Sequence, residues 1–120
     1  MALDYSINPE DSVVRVRVTG SGDYLELEQL WREIAAECST HRCLNILGES
    51  NTEAWTDGVP YDYPDIFRAA GITPQHRIAW IQHNPAAREG LEVAAVVVRN
   101  RKLASTRIFD SVAEAQRWLA

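Results

Sequence analysis

Val13-Val14-Arg15-Val16-Arg17-Val18-Thr19-Gly20-Ser21-Gly22-Asp23-Tyr24-Leu25-Glu26-Leu27 is the stretch on which the fold turns. Valines at 14, 16 and 18 alternate with Arg15 and Arg17, the period of two of a strand with one buried face and one wet, basic face. Gly20-Ser21-Gly22 ends that strand. Asp23 stands three residues before Glu26, the spacing at which a carboxylate caps the first free amides of a helix. Leu27, Leu30, Trp31, Ile34 and Cys38 then recur at helical spacing, while Glu26, Glu28, Arg32, Glu33 and Glu37 fall mostly off that stripe. A change of period from two to 3.6 across a glycine turn marks a strand that feeds a helix lying back on the sheet.

Reading outward, residues 4–8 form an earlier strand, and Pro9-Glu10-Asp11-Ser12 is a turn by composition, so the chain opens with a hairpin. Leu44-Asn45-Ile46-Leu47 reads as a third, interior strand. Residues 48–63 form a polar, aromatic loop of a length that is usually functional or disordered. Pro64 opens a short helix over 65–70, which Gly71 ends. A fourth strand spans 77–81. Asn84-Pro85, an N-cap followed by proline, starts a third helix over 86–99 with Leu91, Ala94, Ala95 and Val98 facing inward. Residues 105–109 are a fifth strand, and Ser111 with Glu114 caps a final helix bearing Val112, Ala115, Trp118 and Leu119 on one face. The order ββαβαβαβα predicts one α/β domain over 1–120. After its hairpin it is a right-handed βα superhelix, with a mostly parallel sheet and helices mainly on one face.

Twelve Lys and Arg against 17 Asp and Glu give 12 − 17 = −5, and 46% of the 120 residues are hydrophobic. Such a chain is globular, and buries about two-thirds of its unfolded surface. It needs no disulfide or metal to hold it. The acidic balance excludes general nucleic-acid binding, whose affinity comes from cations neutralising phosphates. The start of the chain lacks a basic, apolar leader, and no apolar run approaches the ~20 residues of a membrane span, so a cytoplasmic location is expected. Cys38 and Cys43 flank His41 without the C-x-x-C spacing or a second pair of ligands, so both are expected as reduced thiols and no metal is expected. His76 and His83 lie about 23 Å apart along one strand and cannot share an ion. Asp57, Asp62 and Asp65 lack the spacing of a calcium loop. No cofactor is expected.

The chain resembles the STAS domains, the sulphate-transporter and anti-sigma-factor-antagonist superfamily, and in particular its small stand-alone SpoIIAA-like members. The resemblance rests on the opening hairpin ending in Val13-Val14-Arg15-Val16-Arg17-Val18-Thr19-Gly20 and on the long first helix with Leu30-Trp31. It rests most on Arg107-Ile108-Phe109-Asp110-Ser111-Val112-Ala113-Glu114-Ala115-Gln116-Arg117-Trp118-Leu119, a terminal strand running into a capped helix that ends in Trp-Leu. It implies a regulatory module that binds a protein partner. The anti-sigma-factor antagonists carry a phosphorylatable serine, within Asp-Ser-Ser/Thr-Gly, after the third strand. This chain instead reads Gly48-Glu49-Ser50-Asn51-Thr52 there, which offers Ser50 and Thr52, and beyond them Thr56, as the hydroxyls in that region.

Ligands of parallel βα sheets gather outside the carboxyl ends of the strands. Here those ends carry Glu49, Ser50 and His83, which become neighbours if the third and fourth strands are adjacent. Trp55, Tyr61 and Tyr63, with Phe67 nearby, line an apolar pocket together with Trp80, anchor a partner, or fold down with their loop to cover the sheet edge. Arg15, Arg17 and Arg107 are expected on one open sheet face, either in a surface salt-bridge lattice or facing an anionic ligand or the acidic patch of a second copy in a homodimer. Three readings follow. The leading one is a non-enzymatic module that binds a protein through the 48–63 loop and the open sheet face. The second is a carrier or sensor of a small apolar or anionic ligand held under that loop. The third is a small hydrolase with Ser50 as nucleophile and His83 as base, although no Gly-x-Ser-x-Gly elbow is present.

Overall fold

Strands β1 (Leu3–Glu10) and β2 (Val13–Gly20) pair antiparallel from Leu3 opposite Gly20 to Glu10 opposite Val13. The computed structural model describes residues 3–55 and 59–120. Asp11 takes φ 50° in the two-residue connection, a conformation that a short polar side chain tolerates. Helix α1 (Tyr24–Thr40) follows, its first turn closed by the capping box: Asp23 accepts from the Glu26 amide, and the Glu26 carboxylate accepts from the Asp23 amide. The same carboxylate accepts from the Leu3 amide at 3.0 Å, so the helix cap also holds the first residue of β1.

Beyond α1 come β3 (Asn45–Thr52), α2 (Val59–Ala70), β4 (Arg77–Gln82), α3 (Pro85–Asn100), β5 (Ser105–Ile108) and α4 (Val112–Leu119). The strands lie in the order β1-β2-β3-β4-β5, and β2 through β5 are parallel. Each crossover advances the sheet by one strand, so crossovers of one hand stack α1, α2 and α3 on one face. Helix α4 has no further strand to reach and folds onto the other face, where Ala115 and Leu119 cover Leu47, Ala79 and Ile81. The main core lies under the three stacked helices. Val14, Val16, Val18, Ile46, Ile78 and Trp80 meet Leu27, Leu30, Trp31, Ile34, Ile66, Phe67, Ala94 and Val98 there.

Two boundaries differ from the expectation. Strand β3 continues through Gly48-Glu49-Ser50-Asn51-Thr52, because its backbone pairs with β2 on one side and with β4 or its extension on the other. Helix α2 begins at Val59, with Pro64 inside it rather than opening it. Proline there removes one amide that would reach back to the Pro60 carbonyl. The helix extends upstream all the same, since Val59, Tyr63, Ile66 and Phe67 form a stripe packed into the core. The 48–63 segment is therefore strand at one end and helix at the other, not one loop. Thr56 and Asp57 lie outside the described residues. No helix among the described residues is long and apolar enough to cross a membrane.

Candidate functional site

Alternation along β3 separates the side chains that its sequence places side by side. Ser50 points into the helix-covered face, is only 5% exposed, and accepts a hydrogen bond from the Trp80 indole Nε1 at 2.9 Å. Glu49 points to the opposite face. There it meets Arg15 Nη2 at 2.6 Å, His83 Nε2 at 3.0 Å and Arg17 Nε at 3.9 Å. Partial burial opposes charge on Glu49, but the bonds from His83 and Arg15 outweigh it and hold its carboxyl below the usual range. Glu49 and His83 are thus brought together, while Ser50 lies across the sheet from both. A Ser–His–Glu hydrolase arrangement is not assembled.

Thr52, at the end of β3, belongs to a polar clamp. Its hydroxyl accepts from Gln82 Nε2 at 2.9 Å and its amide donates to Gln82 Oε1 at 3.3 Å, while its carbonyl accepts from Asn84 Nδ2 at 2.8 Å. The clamp ties the ends of β3 and β4 to the start of α3, whose first turn is capped by Asn84. Of the two hydroxyls expected as phosphoacceptors, Ser50 is therefore buried and Thr52 is half-buried and hydrogen-bonded.

Arg15 and Arg17 are ion-paired, as a salt-bridge lattice would have them, but the face is not the open one expected. Arg15 is buried and committed to Glu49, so the second face of β2 is not wet at that residue. Arg17 is half-exposed and lies 4.0 Å from Glu10 as well as near Glu49. Arg107 shares the face but stands three strands away on β5, roughly 14 Å across the sheet, with its guanidinium 5.7 Å from the Phe109 ring centre. Helix α4 packs on the strands between them.

The aromatic residues divide as well. Trp55, Tyr63, Phe67, Trp31 and Trp80 form a chain of ring contacts, with centroids 5.4 Å apart for Trp55–Tyr63, 5.5 Å for Tyr63–Phe67, 4.7 Å for Trp31–Phe67 and 5.6 Å for Trp31–Trp80. These five rings line an apolar cavity of about 60 Å³ between the sheet and the stacked helices. Tyr61 takes no part in it and is 69% exposed. Leu25, 72% exposed, is the other large apolar side chain standing in solvent near this end of the sheet. The sequence reading missed Leu25, although its signal is present: it is an apolar residue out of phase with the Leu27, Leu30, Trp31, Ile34 stripe. Helices α1 and α2 pack together, and both follow parallel strands, so their N-terminal turns, with Leu25 and Tyr61, lie at the same end of the sheet. Tyr24 brings carboxylates to this region. Its phenol is raised by desolvation and then by the charges of Glu28, Asp65 and Asp62.

Cys38 and Cys43 are both free thiols, and burial pushes Cys38 up to about 12, which keeps it protonated. Among the described residues, no three His, Cys, Asp or Glu side chains stand together in a way that would hold a metal ion.

No protein-family model matches the chain, and no curated protein matches it. Solved structures do. The crystal structure of an anti-sigma factor antagonist from Mycobacterium paratuberculosis superposes with a TM-score of 0.67 at 14% identity, covering 98% of this chain and 94% of the other. An uncharacterised DUF3478-family protein with a SpoIIAA-like fold from Shewanella loihica PV-4 superposes with a TM-score of 0.62 at 15% identity, covering 99% and 94%. Identity at this level speaks for fold and not for role. With the hairpin, the sequential parallel strands and the full-length superpositions all in agreement, the chain has the SpoIIAA-like fold that its sequence resembles.

Proposed function

We propose that the chain is a non-enzymatic regulatory module that holds a protein partner at the carboxyl end of its sheet, on the N-terminal turns of α1 and α2. The observation that carries this reading is the pair of large apolar side chains, Leu25 and Tyr61, standing in solvent at the starts of two packed helices. Scattered exposed apolar residues need no explanation. These two share one end of the molecule with Tyr24, Glu28, Asp62 and Asp65, an apolar pair within an acidic rim. Such a surface fits a partner that presents an apolar patch ringed by Lys or Arg. Likeness to a structure described as an anti-sigma factor antagonist supports a role of this kind.

The test pairs Leu25→Asp with Tyr61→Ser in one variant, and sets Arg17→Ala on the opposite face beside it as a control. Partners retained by the immobilised wild-type protein are identified and their affinities measured. Interface anchors typically cost about 2 kcal/mol or more when removed, which is roughly 30-fold in affinity. The double variant is expected to bind at least tenfold more weakly while Arg17→Ala binds like wild type. Unchanged affinity of the double variant, with loss in Arg17→Ala, would move the site to the other face.

A further inference from the structure

We propose that the aromatic cavity is a binding site for a small, neutral, apolar molecule carrying one hydrogen-bond acceptor, which Ser50 receives. This does not depend on the partner surface at Leu25 and Tyr61. Protein interiors are packed with few voids larger than a water molecule. Here about 60 Å³ remains open beneath Trp31, Trp55, Tyr63, Phe67 and Trp80, several times the ~10–15 Å³ that one water occupies. The walls are almost entirely carbon, and apolar cavities of this kind take up apolar guests in preference to water. At well under half of the ~150 Å³ that holds benzene, the space suits a short chain of three or four heavy atoms.

The polar groups at the wall narrow the chemistry further. Gln82 Oε1 accepts from the Thr52 and Asn84 amides, and its Nε2 donates one of its two hydrogens to Thr52. Thr106 donates its hydroxyl to the Ala95 carbonyl. Ser50 differs. Its oxygen accepts from Trp80 Nε1, and among the described residues its own O–H donates to no protein acceptor. Accepting one bond strengthens the donation of the next. Ser50 is therefore a polarised, 95% buried donor on the wall of a cavity lined mainly by carbon. A ligand with one carbonyl or ether oxygen satisfies it. A charged ligand would pay desolvation with no counter-ion, since the charged residues bordering the cavity, Glu53 and Arg107, are themselves exposed. Entry is from the carboxyl end of the sheet, where the bordering residues Leu3, Gly22 and Trp55 are only partly buried.

Acetone is the probe, with isobutene as a counterpart of the same shape that lacks the oxygen acceptor. Titration into ¹⁵N-labelled protein is expected to shift the Trp80 indole N–H signal saturably, with nuclear Overhauser contacts from the ketone to the Trp31 and Trp80 rings. The hydrocarbon is expected to bind about fivefold more weakly, the factor for one ordinary hydrogen bond. Ala94→Val, which adds two methyl groups to the cavity wall from α3, is expected to abolish the shift. No saturable shift with the ketone, or contacts only to other rings, would overturn the site. Equal affinity for ketone and hydrocarbon would overturn the assignment to Ser50. Both measurements are made on the wild-type protein, so they decide the matter even if Ala94→Val does not fold.

Discussion

Gly48 sits on the helix-covered face of β3 between Val16 and Trp80, and a β-carbon built there would lie 2.1 Å from the Trp80 ring. The glycine is what lets the indole lie flat on the sheet with its Nε1 reaching Ser50. Gly48→Ala should therefore cost on the order of 1–3 kcal/mol by overpacking, measured as a drop in urea midpoint, with a changed tryptophan emission spectrum. A neutral result would mean that Trp80 has room to move. Nothing in the sequence near Gly48 announces this, because the constraint comes from a ring 32 positions away. The same holds for Arg15, whose alternation with valine reads as a wet face until Glu49 is seen to be its partner. At the opposite end of the sheet, His76 is only 6% exposed, and burial lowers its pKa despite a raising contact with the Thr73 backbone. A histidine with a lowered folded value binds fewer protons folded than unfolded, so its contribution is intact above about 6.5 and is lost as pH falls through that value toward the folded one. Urea midpoints are expected to decline from pH 7.5 to 5 in the wild type, and to decline less in His76→Gln. Equal slopes would contradict this account of His76.

Helix caps were legible because their chemistry is local. Asp23 with Glu26, Asn84 and Ser111 all cap as their spacing predicts, although the Glu114 carboxylate takes the Ser111 hydroxyl rather than its amide. Asp23→Ala should cost about 1 kcal/mol in thermal or urea unfolding. Because Glu26 also holds the Leu3 amide, amide exchange is expected to quicken at the start of β1 as well as in the first turn of α1. Exchange confined to α1 would show that the two are not coupled. Element extents were legible only where the pattern was apolar. The polar half of β3 is a strand because Arg15, Trp80 and Gln82 satisfy its side chains from neighbouring strands, and residue composition does not carry that information. Pro64 misled for a related reason: helix α2 is held by the packing of Tyr63, Ile66 and Phe67, which outweighs one missing amide.

Across the molecule, the net charge of −5 conceals a division. Arg15, Arg17, Arg32, Arg68 and Arg88 are ion-paired, whereas Arg99, Lys102 and Arg107, near the β5 edge, meet no carboxylate among the described residues. Arg99 instead donates to the Thr106 carbonyl, which blunts the free edge of β5 against pairing with another strand. At the other side of the fold, Leu25 and Tyr61 stand with the carboxylates around Tyr24. The architecture itself was readable, since a hairpin followed by strict βα alternation leaves few topologies open. Which residues meet at the carboxyl ends of the strands was not, because that depends on the face each strand residue takes. Where a partner sits is read most directly by hydrogen–deuterium exchange of the protein free and bound to its captured partner. New protection is expected in residues 24–28 and 59–65, the first turns of α1 and α2. Protection confined to the β5 edge around residues 99–107, or to α4, with those turns unchanged, would contradict it.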